Sequence, residues 1–294
     1  MSVGFDFLLD RLGMPVVCHV LTKIAASSTE RTILQVQAEH MNAPERFAAW
    51  LLAAEHQDRR FGYIYRYHPR SDAHSVILCT YLLEDLVMLC PALKEQVSRG
   101  QIAYGTNVRY VWPTTQKMKT LDLAIGRPAA RSLPGTMGRV TRFTEVLLAC
   151  EAKAVMTEHV KSQPRVYDEL SSSHQIVHQG RPDAIAAGIT VVNIAETFIS
   201  PLRQTSAEQP YISHHQQPQV RQRMVTHLRG LPIREQVGQI GFEAYCSLVV
   251  ECDNQTIARL WQARPAPQPG EPDHYDTFIG RLARFYTERF GRLA

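Results

Sequence analysis

Glu151-Ala152-Lys153 closes the apolar run Val146-Leu147-Leu148-Ala149-Cys150, and an isolated acid, Asp122, ends an apolar-alternating stretch upstream. Side chains of an extended strand alternate between its faces, so Glu151 and Lys153 should emerge together at the end of a buried strand. Asp122 is placed to join them from the neighbouring strand. Two carboxylates hold a hard divalent cation such as Mg²⁺ through oxygen. A lysine ammonium beside them can orient or help deprotonate an attacking water and offset the charge of a phosphate, which is the chemistry of phosphodiester hydrolysis. Spacing alone does not make the case, because 17 Glu and 6 Lys in 294 residues give roughly 0.35 Glu-x-Lys triplets by chance. The elements around the triplet must carry it.

The period of the sequence changes along the chain. Residues 1–71 read as helical, with a short amphipathic stretch over 5–12 and a helix start at Asn42-Ala43-Pro44-Glu45 that leads into 46–56. A longer helix is expected over about 72–98, apolar around most of its circumference and therefore buried, with Pro91 kinking or interrupting it. Strand-like segments follow at 107–112, ended by Pro113, at 118–125 and at 145–153. Between the last two, residues 126–139 have the Gly, Pro and Ser content of a loop and carry arginines. A helix at about 164–178 and a β-branched strand at 187–194, typical of burial on both faces, complete the order helix, three strands, helix, strand. Residues 201–294 read as mainly helical, with helices at 219–228 and 275–289, an apolar segment at 245–250 and a Pro-rich linker at 264–272. One domain is expected, with residues 72–200 as its core.

On Asp122, Glu151, Lys153 and this element order, the chain resembles the PD-(D/E)XK nuclease superfamily and, within it, the type II restriction endonucleases. The resemblance covers about residues 72–200. It implies an α/β (α+β) fold: a restriction-endonuclease-like core with a mixed β-sheet flanked by helices in α-β-β-β-α-β order, and extra helices at both termini. The motif aspartate would lie on the second strand and Glu-x-Lys at the end of the third. Residues 154–159 and 167–173 look like the helices that flank such sites. Leu121, not the proline of the motif, precedes Asp122, and that proline is often absent in this superfamily. By resemblance, Asp122, Glu151 and the carbonyl of residue 152 would position Mg²⁺, and Lys153 would address the water. The activity implied is sequence-specific cleavage of double-stranded DNA leaving 5′-phosphates, by a homodimer paired with a DNA methyltransferase. The rival readings are another enzyme of the superfamily, acting in repair, resolution or transposition, and a non-catalytic DNA-binding or interaction protein.

Composition is compatible with that chemistry. The 33.3 kDa chain is 45% apolar, enough for a real core, and has no run of the ~18 apolar residues that span a membrane. Its first residues lack the basic flank and apolar run of a signal peptide, so a cytoplasmic protein without membrane contact is expected. Six scattered cysteines have no Cys-x-x-Cys spacing and read as reduced core residues. Of 32 basic residues, 26 are arginine, whose planar fork suits phosphates and guanine edges, although a GC-rich genome gives the same bias. Arg127, Arg131, Arg139 and Arg142 are the expected DNA contacts, on a loop read as issuing from the same sheet edge as the catalytic strand ends. Glu84, inside the apolar helix, is either a third acid for the cation or the partner of an arginine. Glu158, His159 and Lys161 are phosphate contacts or a solvated cluster, and His174 and His178, at i and i+4, are packing residues or zinc ligands. The dimer contact is expected from residues up to about 70 or from the Phe278, Leu282 and Phe285 stripe of the last helix, which otherwise covers the chain's own core.

Overall fold

The Asn42 side chain accepts from the Glu45 N–H while Glu45 reaches back to the Asn42 N–H, a capping box that starts α1 (Ala43–Ala53) with Pro44 in its first turn. The computed structural model describes residues 41–58, 60–130, 140–215 and 218–292, so the 5–12 stretch lies outside the described residues. A short ribbon, β1 (His56–Gln57) and β2 (Ile64–Tyr65), follows α1. The long apolar helix is broken where proline must break it. α2 (Ala73–Leu89) ends, and α3 (Pro91–Ser98) restarts with Pro91 in its first turn after a bend of 104°.

The chain then enters β3 (Ala103–Val111), β4 (Met118–Pro128) and β5 (Phe143–Val155), an antiparallel meander. α4 (His159–Gly180) carries it across to β6 (Ile185–Asn193), parallel to β5 and buried at all nine positions. The helix, three strands, helix, strand order read from the sequence is therefore the order observed. Beyond it lie β7 (Thr197–Ile199), β8 (Ile212–His214), α5 (Pro218–Leu228), β9 (Ala244–Cys252), β10 (Ala258–Leu260) and α6 (Tyr275–Phe290). One mixed six-stranded sheet runs β10-β9-β6-β5-β4-β3.

The C-terminal third differs from the mainly helical expectation because β9 and β10 extend this same sheet, β9 parallel to β6. The physical reason is length. A nine-residue apolar run fits a strand buried on both faces as well as it fits a short helix, and only neighbours decide. The two faces of the sheet carry two cores: α1, α2, α3 and α6 cover one, α4 and α5 the other. Phe278, Leu282 and Phe285 lie in the first core, at most 1% exposed. The α6 stripe thus covers the chain's own sheet, and the expectation that it meets a second copy is corrected. No single helix among the described residues is long and apolar enough to cross a membrane. Five of the six cysteines are described, and all five are buried and free.

Candidate active site

β4 pairs with β5 from Pro128 opposite Phe143 to Leu123 opposite Cys150, and then leaves it. Its first residues pair only with β3, while β5 continues beside β6 as far as Val155 opposite Val192. The break has a local cause on β3. Asn107 lies between the Thr106–Leu123 and Val108–Leu121 pairs with φ at 53°, a left-handed conformation that asparagine tolerates better than most residues. Beyond this kink the hairpin turns from the sheet, and Tyr110, Trp112 and Leu121 join the core shared with Val166, Leu170 and Val177 of α4. Gly180 is the seat of the Trp112 indole, since a Cβ there would stand 2.4 Å from the ring.

Asp122 and the Glu151-Ala152-Lys153 segment meet in the gap so formed. The Ala152 N–H donates to Asp122 Oδ2 at 2.8 Å. Glu151 is 5% exposed and both its oxygens are engaged: Oε1 by Lys153 Nζ at 2.7 Å, Oε2 by Lys119 Nζ at 3.0 Å and by the Ser173 hydroxyl at 3.2 Å. Lys153 also reaches Glu169 Oε2 at 3.3 Å, and Arg165 pairs with the other oxygen of Glu169. Burial, together with the negative charge of Glu151, pushes the Asp122 carboxyl up to about 6 against the opposing pull of the Ala152 N–H and the two lysines. For Lys153 burial is the largest single influence and opposes the charge, but Glu151, Asp122 and Glu169 together outweigh it and hold the ammonium above its ordinary value. Lys153 is therefore a cation in this arrangement, suited to orienting a water and offsetting phosphate charge rather than to removing a proton.

The expected trio is thus brought together, with one correction of place. Glu151 lies four residues inside β5 and not at its end, and the site opens because β4 departs, not because β5 stops. Lys119 joins the site from the strand-like 118–125 segment, and Glu169 and Ser173 join it from the 167–173 segment read as a flanking helix, none of the three being singled out by the sequence as a site residue. Ser173 and Glu169 carry a legible signal, a four-residue spacing that puts them on one face of α4. Lys119 carries none, because a regular strand places residues three apart on opposite faces and only the kink brings it to the side of Asp122.

The other candidates fall elsewhere. Glu84 and Asp85 both pair with Arg46, which takes Glu84 out of the running as a third acid. Glu158 pairs with Lys161 and Arg203, and His159 is buried with Nε2 against the Asn193 carbonyl at 2.8 Å. His174 packs on Phe242 and His178 bonds Glu243, an acid already held by Arg234 and Arg289. No group of three or more His, Cys, Asp or Glu side chains gathers to hold a metal among the described residues. A two-carboxylate donor set does fit Mg²⁺, which is commonly bound by one or two carboxylates and keeps several waters.

Arg131 and Arg139 lie outside the described residues. Arg127 pairs with Glu145 at 3.1 Å and Arg142 is exposed. Arg142 stands nine residues before Glu151 on a continuous strand path, about 30 Å at ~3.3 Å per residue. The loop therefore issues from the end of the β4–β5 pair away from the gap, and the expectation that it shares an edge with the site is corrected. Antiparallel pairing dictates this, because the loop joins the end of β4 to the start of β5 while Asp122 lies early in β4 and Glu151 late in β5. A cleft of about 450 Å³ opens at the C-terminal ends of β6 and β9, beside Arg221, Glu251 and Trp261, and none of the site residues lines it.

No family model, no curated protein and no solved structure matches this chain, so the geometry just described carries the functional argument alone.

Proposed function

We propose that the chain is a Mg²⁺-dependent, sequence-specific double-stranded DNA endonuclease of the type II restriction kind. The observation that carries this reading is the convergence of Asp122, Glu151 and Lys153 where β4 parts from β5, in a sheet of helix, three strands, helix, strand order. Asp122 and Glu151, with the Ala152 carbonyl, would hold the cation. When bound, Mg²⁺ supplies charge neutralisation at the phosphate and a water of lowered pKa. The protein's own part is positional. Lys153 holds the attacking water in line with the phosphorus, and Glu169 and Ser173 fix Lys153 and Glu151 from α4. Hydrolysis that releases the 3′ oxygen leaves 5′-phosphates.

In this reading the strand ends that flank the 126–142 loop meet DNA away from the cleaved bond. Arg142 lies about 30 Å along the strand from Glu151, roughly nine base-pair steps at ~3.4 Å each, so Arg142 would meet the duplex to one side of the scissile phosphate, with Arg127, Arg131 and Arg139 as further proposed contacts of the same duplex. The protein would act in the cytoplasm, with a DNA methyltransferase protecting its sites. The test is incubation with a sequenced plasmid and Mg²⁺, followed by sequencing of the ends. Discrete fragments with 5′-phosphates, lost in EDTA and in Lys153→Ala, are expected; cutting that persists in both removes the proposal.

A further inference from the structure

We propose that Lys119 is a built-in competitor of the divalent cation, an ammonium that occupies Glu151 and keeps cation affinity low until a phosphate supplies further negative charge. The inference rests on the nuclease reading above and adds a regulation of the same site. Its ground is the occupancy of Glu151. A cation held by this carboxylate needs one of its oxygens, and Oε1 is taken by Lys153 at 2.7 Å while Oε2 is taken by Lys119 at 3.0 Å. The two lysines differ in what they lose when displaced. Lys153 keeps a second acid, Glu169 at 3.3 Å, whereas Glu151 is the acid with which Lys119 pairs among the described residues. The longer contact is the one to yield, and the flexible four-carbon stem of lysine allows it to swing away.

Charge balance points the same way. Asp122, Glu151 and Glu169 face Lys119, Lys153 and Arg165, so the cluster is already compensated and a dication entering alone leaves uncompensated positive charge in a mostly buried place. A DNA phosphate brought alongside removes that excess, and the displaced Lys119 ammonium can serve it. Cation and substrate are thereby coupled: each binds better with the other present, by the same factor.

Mn²⁺ binding without DNA, followed by electron paramagnetic resonance and repeated by calorimetry with Mg²⁺, tests this on the full chain. Lys119→Met and Lys119→Gln, each removing the charge while keeping the side-chain bulk, should bind Mn²⁺ about ten-fold or more tightly than the native protein. Lys119→Arg should stay near it. Two neutral variants guard against one that fails to fold, which thermal melting would reveal. Unchanged or weaker Mn²⁺ affinity in both overturns the competition. Asp122→Ala in the Lys119→Met background tells that failure from a failure of the nuclease reading. If Mn²⁺ binding is lost there but Lys119→Met alone tightens nothing, the cation site stands and the competition falls. If Asp122→Ala leaves Mn²⁺ binding as it was, the cation site falls and the competition with it.

Discussion

At the residue scale the site's charges define what each substitution should do. Asp122→Asn keeps an acceptor for the Ala152 N–H but loses the charge. Lys153→Ala removes an ammonium that touches two acids, Glu151 and Glu169. Both should lower plasmid cleavage about 10³-fold, the scale on which a single preorganised charge acts, and both should melt like the native protein. Near-native cutting by either would break the site assignment. Two buried histidines set a pH dependence of stability. Burial lowers His159 and His174 to about 4, so they are neutral in the fold, and on unfolding they return to the ordinary ~6.5. A lowered folded-state pKa gives stability that is present above the unfolded value and lost as pH falls from ~6.5 through 4. Urea unfolding at pH 5 should show about 4 kcal/mol less stability than at pH 7 from this pair. His159→Gln should shrink that difference; an unaltered difference would show that His159 is already charged in the fold.

At the element scale the decisive feature is the kinked β3–β4 hairpin, which turns two ordinary strands into a gap with acids on its walls. Asn107 supplies the positive φ. Asn107→Gly should keep the kink and the activity, since glycine adopts that backbone without strain. Asn107→Val should cost about 2 kcal/mol and pull Asp122 back toward regular pairing with β5. Cleavage in the valine variant should fall more than its stability loss explains, when both are measured below its melting temperature. Equal activity in the two variants would mean that the kink does not place Asp122. The Pro91 break, the Asn42 capping box and the apolar run of β6 were all legible in the sequence, because proline geometry, cap chemistry and burial on both faces act over a few residues. The kink was not. Asn107 and Asp122 are fifteen positions apart, and nothing local marks either as a bend.

At the scale of the whole molecule, in the proposed nuclease reading one Asp122, Glu151, Lys153 set would be one hydrolytic centre, and one centre cuts one strand. A double-strand break at a symmetric site calls for two copies about a twofold axis. Light scattering should therefore report a dimer, in the free protein or once DNA is bound, and plasmid digests should yield linear product. A monomer in both states that releases only nicked circles would point to a nickase. The contact cannot come from the α6 stripe, whose Phe278, Leu282 and Phe285 are buried against this chain's own sheet. Leu282→Ala should accordingly lower stability, by about 3 kcal/mol, and leave the mass in solution unchanged.

By itself the sequence determined the type and order of the elements from α2 to β6 and the three residues most suited to the chemistry, because periodicity and residue type are local properties. Tertiary structure decided the rest. It sent the apolar 244–252 segment into the sheet, sealed the α6 stripe, put the strand ends that flank residues 129–142 at the end of the β4–β5 pair away from Glu151, and paired Glu84 and Asp85 with Arg46. It also set Lys119 against Glu151 across 32 positions of sequence. Each of these outcomes depends on which surfaces and charges meet in space, and a pattern confined to neighbouring residues holds no record of that.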